Sequence, residues 1–226
     1  MSKEIAVTFQ VDGQEVKLTP SIVQNYLIGS EAQITLPEFK FFTELCKVRG
    51  LNPFLKEAYL IKYGKEPAQM VVGKDAIQKR AIRHPQYDGM ESGIIVQTES
   101  GEVQERKGLF YLPGEQVVGG WASVYRKDWN RPTYVSVSVG ESIQLKKDGT
   151  PNTMWRTKKA TMIEKVAKVR ALRESFVEEL AGMYEEEEMG AILPDVVVEP
   201  ESQIVEVSES DNPWEDENVI RMEDLE

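Results

Sequence analysis

The sequence predicts an α+β fold, a small antiparallel β-sheet packed with helices, followed by a disordered acidic C-terminal tail. Three observations predict it. Short segments of alternating apolar and polar residues, bounded by Asp-Gly, Gly and Pro turns, recur between residues 7 and 139. Between and after them lie segments with apolar residues at helical spacing and capping residues at their ends. The charge is also divided unevenly. Residues 177–226 hold 18 Asp or Glu against the single Arg221, whereas residues 1–176 hold 26 Lys or Arg against 20 acids. The net charge of −11 is therefore a body of +6 and a tail of −17.

Residues 7–19, VTFQVDGQEVKLT, alternate around Asp12-Gly13, a pair suited to a tight type I′ turn, and read as a hairpin. Thr19-Pro20 supplies an N-cap and a first-turn proline for a short helix ending near Gly29. Thr35 and Glu38 have capping-box spacing; Phe39, Phe42, Leu45 and Cys46 form an apolar stripe behind them, and Gly50 ends that second helix. Gly50 to Pro53 is a turn, and EAYLIKY and AQMVV read as strands separated by Gly64 to Pro67. A helix is expected over Lys74 to Arg83, stopped by His84-Pro85. Tyr87-Asp88-Gly89 turns into the strand GIIVQT; residues 99–116 read as a strand plus a loop. WASVYRK and TYVSVSV are two more strands, joined by Asp128 to Pro132.

Met154 to Tyr184 reads as one long helix. Met162, Val166, Val169, Leu172, Phe176, Leu180 and Tyr184 lie three and four apart, so one stripe packs on a core. Arg156, Lys158, Lys159, Lys165, Lys168, Arg170 and Arg173 flank that stripe on both sides. The body is thus expected to span residues 1–184. Residues 185–226 form the tail, in which Trp214, Val219, Ile220, Met222 and Leu225 mark residues 212–225 as a partner-binding peptide or a mimic of a polyanion.

Several chemistries are disfavoured. With 226 residues and 41% apolar content the chain can build one core, but no run reaches the roughly 18 apolar residues of a membrane span. Its N-terminus lacks the order of a signal peptide, and the lone Cys46 can form no internal disulfide. Gly73-Lys74 has Ala68 and Asp75 where a phosphate-binding loop needs a glycine and a hydroxyl. One Cys and one His cannot supply the usual ligands of a zinc site. The best enzymatic alternative is a magnesium-dependent nuclease built from Asp88, Glu105 and Lys107, a short pattern that chance readily produces among 29% charged residues.

Basic residues recur beside aromatic ones: Lys56 near Tyr59, Lys62-Tyr63, Tyr125-Arg126-Lys127 with Trp129, and Trp155-Arg156 with Lys158-Lys159. Cations neutralise phosphates and aromatic faces stack on unpaired bases, so such a cluster suits a single strand.

The order GLNPFLKEAYLIKYG, VVGKDAIQKRAIRHPQYDGM, VYRKDWNRP and KVAKVRALRESF, within residues 36–184, resembles the RecT/Bet (Red beta) family of phage single-strand annealing proteins. The resemblance implies a core similar to that of the eukaryotic annealing proteins. It also implies ATP-independent annealing of complementary DNA strands by a homo-oligomer, in rings or helical filaments, without chemical catalysis. The expected partners are single-stranded DNA, annealed duplex DNA, a phage exonuclease and a host single-strand-binding protein, in the cytoplasm of a bacterial host. No cofactor is required, with magnesium at most assisting annealing. It places Asn52 and Lys56 near the DNA, Lys74 on a loop by the groove, Arg126 and Lys127 on a strand, and Lys158, Lys159, Lys165 and Arg173 on the basic helix as phosphate contacts. Asn52 and Trp155 stand between contacts to sugars or bases and the structural roles of a turn-forming Asn and a packed Trp. A non-annealing single-strand-binding accessory protein is the remaining alternative.

Overall fold

A computed structural model describes residues 5–29, 33–62, 66–146 and 148–185. Strands β1 (Val7–Val11) and β2 (Gln14–Leu18) form the expected hairpin, with Asp12 and Gly13 at φ 49° and 77°, the positive angles a type I′ turn needs. Helix α1 (Pro20–Tyr26) begins where Thr19 Oγ1 accepts from the Ile22 N–H at 3.2 Å. The capping box of α2 (Leu36–Arg49) is complete. Glu38 N–H donates to Thr35 Oγ1 at 3.4 Å, Thr35 N–H donates back to Glu38 Oε2 at 2.7 Å, and Gly50 closes the helix at φ 56°. After a single 3-10 turn at Pro53–Leu55, β3 (Ala58–Ile61) and β4 (Gln69–Val72) pair as a second antiparallel ribbon.

Helix α3 (Lys74–Arg83) follows, and then the four-stranded antiparallel sheet in the order β6-β5-β7-β8. Its strands are β5 (Tyr87–Gln97), β6 (Val103–Lys107), β7 (Gln116–Arg126) and β8 (Thr133–Ser138). Both central strands are longer than their apolar patterns indicate. β5 starts at Tyr87, six residues before Gly93, and β7 starts at Gln116, five before Trp121. The added residues include Gly89, Gly119 and Gly120, which weaken the strand signal; Gly89 takes φ 110° at the register irregularity between Tyr87 and Met90, and Gly119 and Gly120 serve the packing. A Cβ on Gly120 would lie 2.7 Å from the Ile163 carbonyl oxygen, and one on Gly119 would lie 2.7 Å from that of Val137.

The segment expected as one helix is three: α5 (Thr153–Thr157), α6 (Lys159–Ser175) and α7 (Val177–Leu180), after the short α4 (Val139–Ser142). The chain leaves helical angles at Lys158 (φ −134°, ψ 41°) and at Phe176 (φ −130°, ψ 57°). Around these breaks Trp155 and Phe176 are turned into the core, where both rings are buried. Helix α6 is not a one-sided amphipath. Ala160, Ile163, Ala167 and Ala171 are buried as well as Met162, Val166, Val169 and Leu172, because the helix is enclosed by the sheet and α3. It runs in the same direction as β7. Ile163 lies over Gly120 and Ser175 lies beside Arg126, so 12 helical residues, about 18 Å, match six strand residues, about 20 Å. The acidic segment from residue 186 and its peptide at 212–225 lie outside the described residues.

Candidate nucleic-acid interface

The ten residues assigned to DNA contact sort by surroundings into three groups. Lys56, Lys127, Lys158 and Lys159 are exposed. Lys158 and Lys159 stand at the junction of α5 and α6, next to the exposed Arg156, where the chain enters the first turn of α6. The helix's N-terminal amides point outward there, so this end is electropositive beyond its side chains. Lys56 holds a left-handed angle, φ 58°, at the end of the 3-10 turn, and its carbonyl lies so close to Gly73 that a Cβ there would be 2.7 Å away. Lys127 caps the sheet with its ammonium 3.2 Å from the Pro85 carbonyl. Lys74 opens α3, partly exposed, with its ammonium 4.0 Å from Asp75.

A second group is engaged inside the protein. Arg126 donates to Asp128 through two bonds of 2.9 and 2.7 Å and to the Ser175 carbonyl at 2.5 Å. Its guanidinium also stacks 4.6 Å from the Trp129 ring and 4.9 Å from Phe176. Lys165 lies 3.5 Å from Glu185, and Arg173 stacks 4.6 Å from Tyr184 with the Met183 carbonyl at 3.5 Å. Residues 183–185 thus fold back along α6 and onto β4, where Val72 N–H donates to the Tyr184 carbonyl at 2.9 Å. The start of the acidic segment covers two of the cations assigned to phosphate.

Asn52 and Trp155 form the third group, and for both the structural role is the one observed. The Asn52 amide oxygen accepts from the Phe54 N–H at 3.0 Å and caps the 3-10 turn, while its own N–H donates to the buried Glu57 carboxylate at 2.8 Å. Trp155 is fully buried, so it offers no ring face to a base. Its neighbour Asn152 caps α5 by accepting from the Trp155 N–H at 3.0 Å.

The cations do not face one another across a narrow groove. Lys159 and the Arg126 and Lys127 pair mark opposite ends of α6, 16 residues or about 24 Å apart along the axis. Any strand that touches both must run the length of the helix. Of the aromatic and basic pairs, Lys62 is buried against Glu38, with two contacts of 2.9 Å, and Tyr63 lies outside the described residues. The carboxylate of Glu38 also accepts from the Ala68 N–H at 2.8 Å. Burial alone pushes this carboxyl up, but the bonds from Thr35, Lys62 and Ala68 outweigh it and hold it at about 2. The hairpin turn is fastened similarly: Asp12 meets Lys79 at 2.8 Å and Arg83 at 2.9 Å, which lowers its carboxyl to about 2.

The nuclease pattern does not assemble. Glu105 pairs with Ile95, seven residues or about 23 Å along β5 from Asp88, and Lys107 is bound to Glu91 at 2.6 Å. The Glu105 carboxylate accepts from the Tyr134 hydroxyl. Among the described residues no three His, Cys, Asp or Glu are grouped so that they could hold a metal ion. Nor does any helix among them have the length and apolarity to cross a membrane.

The RecT family model matches residues 14–205, which run from β2 through the four-stranded sheet and α6. The chain belongs to the RecT family, whose members are single-strand annealing and recombination proteins. It is also similar to uncharacterized protein UU154 of Ureaplasma parvum serovar 3 (strain ATCC 700970), with 27% identity over 169 residues. That match covers 71% of this chain and 66% of the relative, just under two thirds of its length.

Proposed function

We propose that this RecT-family chain binds single-stranded DNA through its phosphates and anneals it to a complementary strand as a homo-oligomer, without ATP and without bond chemistry. Family membership across residues 14–205 carries the reading. The exposed run from Arg156 to Lys159 supports it with a cationic surface at a helix N-terminus. Lys56, Lys74 and Lys127 are further exposed or partly exposed cations elsewhere on the body, while Lys165 and Arg173 become available only when residues 183–185 move aside. Phosphate contacts hold the strand and leave its bases to select the partner, so sequence specificity comes from base pairing rather than from the protein. Magnesium assists annealing by screening the two strands from each other. A phage exonuclease and a host single-strand-binding protein are the proposed protein partners, in a bacterial cytoplasm. The test is the pairing rate of complementary oligonucleotides, with and without ATP and magnesium, for the full chain and for Lys158→Ala/Lys159→Ala. Faster pairing of intact strands that the double variant loses supports the reading. Strand cleavage, or binding that blocks pairing, sinks it in favour of a nuclease or an accessory binder.

A further inference from the structure

Helix α3 ends on a turn whose backbone holds one of the exposed cations. Tyr87 N–H donates to the His84 carbonyl at 3.0 Å across Pro85 and Gln86, which closes a β-turn with proline at its second position. The two residues inside this turn carry Lys127. Its N–H donates to the Gln86 carbonyl at 2.9 Å, and its ammonium lies 3.2 Å from the Pro85 carbonyl. The first contact continues the pairing of β5 with β7 one step beyond Tyr87 and Arg126. Where Lys127 stands therefore depends on where those two carbonyls point.

The His84 side chain fixes the turn from inside. Nδ1 accepts from the Gln86 N–H at 3.1 Å. A ring nitrogen that accepts carries no hydrogen, so the ring hydrogen lies on Nε2, 3.2 Å from the Glu179 carboxylate on α7. The imidazole also packs on Phe176 with ring centroids 4.8 Å apart, and Tyr87 and the Arg126 guanidinium meet the same Phe176 ring at 6.2 and 4.9 Å. Asn and Asp side chains accept from the N–H two residues ahead in an Asx turn. His84 makes the equivalent bond and adds an anchor on α7 and the helix break.

We infer that His84 is a positioning residue for strand binding: through the Gln86 N–H it sets the turn whose carbonyls seat Lys127 for a DNA phosphate. His84 itself touches no DNA. The Lys127 ammonium has three donors, and one on Pro85 leaves two for phosphate oxygens. A side chain already seated has less rotamer freedom to lose when the strand arrives. The inference rests on the assignment of Lys127 to phosphate in the proposed function.

Full-length His84→Asn and His84→Gln test it, with thermal melting as the control for folding. Asn offers an oxygen where Nδ1 stands but is too short for Glu179, whereas Gln reaches Glu179 and offers no acceptor at the turn. Binding of a labelled oligothymidylate is followed by fluorescence anisotropy over a salt series. Lys127→Ala is expected to lower the salt slope by about 0.7, one phosphate contact. His84→Gln should lower it by most of that amount, His84→Gln/Lys127→Ala by no more than Lys127→Ala alone, and His84→Asn should keep the slope of the unmodified chain. A merely structural role would lower the melting temperature without this dependence on Lys127. An unchanged slope in His84→Gln, a slope lowered equally in His84→Asn, or losses that add in the double variant overturns the inference. A silent His84→Gln beside an effective Lys127→Ala removes the inference alone and leaves the proposed function standing. A silent Lys127→Ala strikes Lys127 from the phosphate contacts, and the inference falls with it.

Discussion

Arg126 closes the C-terminal end of α6 by donating to the Ser175 carbonyl at 2.5 Å while Asp128 holds the other edge of its guanidinium. A cation at this end complements the helix dipole and satisfies a carbonyl that the helix leaves without a partner. The same side chain lies against Phe176, where the helix breaks, so strand β7, the break and the turn after β7 meet on one guanidinium. A lysine cannot reproduce this planar fork. Arg126→Lys is therefore expected to cost about 1–3 kcal/mol in denaturant unfolding, with single-strand affinity of the folded protein kept. Full stability with reduced affinity would instead make Arg126 a phosphate contact.

Glu38 gives the protein an acid limit. Its carboxyl lies at about 2 in the folded chain against an ordinary 4.5, so the stabilisation is fully present above about pH 4.5 and is lost as pH falls from there toward 2. Glu38→Gln is expected to lower stability at pH 7 by about 2–3 kcal/mol and to flatten unfolding against pH in that window. Equal slopes for the two proteins between pH 5 and 2 would remove Glu38 as the cause.

Gly120 sets how closely α6 approaches β7. A methyl group there meets the Ile163 carbonyl at 2.7 Å, and neither backbone can give way cheaply. Gly120→Ala is expected to cost about 1–3 kcal/mol, whereas Gly13→Ala meets nothing within 4 Å and is strained only by its positive φ. Thermal melting of the two variants separates packing from backbone strain, and an undisturbed Gly120→Ala would show that the helix can shift without loss.

How much of this was legible in the sequence depends on whether a signal was local. The Asp12-Gly13 turn, the Thr35 and Glu38 capping box and the Gly50 stop are written in neighbouring residues, and each forms as expected. The lengths of β5 and β7 were hidden by Gly89, which reads as a turn residue, and by Gly119 and Gly120, which interrupt the strand pattern; they are used here at a register irregularity and for close packing. The break of the basic segment at Lys158 and Phe176 was also invisible, because periodicity continues across it. For the site, the type of residue was readable and its surroundings were not. Lys158 and Arg173 look alike in sequence, yet one is exposed and the other stacks on Tyr184. Nothing adjacent in sequence distinguishes them, since the covering residues, Met183 and Tyr184, come ten and eleven positions later and reach Arg173 only because the chain folds back along α6.

Glu185 meets Lys165 at 3.5 Å, so the acid and a DNA phosphate would compete for the same cation. Glu185→Gln is expected to raise single-strand affinity at low salt and to steepen its salt dependence by up to about 0.7, one phosphate contact. Fluorescence anisotropy over a salt series reads both. An unchanged affinity and slope would leave Lys165 as a purely structural residue.

The most direct test of the central claim is the rate at which two complementary oligonucleotides pair in the presence of the full chain, followed by fluorescence without ATP. The account predicts pairing faster than in buffer, with both strands intact at the end. Lys158→Ala/Lys159→Ala should reduce that acceleration and lower the salt slope of strand binding by about 1.4, two phosphate contacts. Pairing no faster than in buffer, or strands shortened during the reaction, would contradict it.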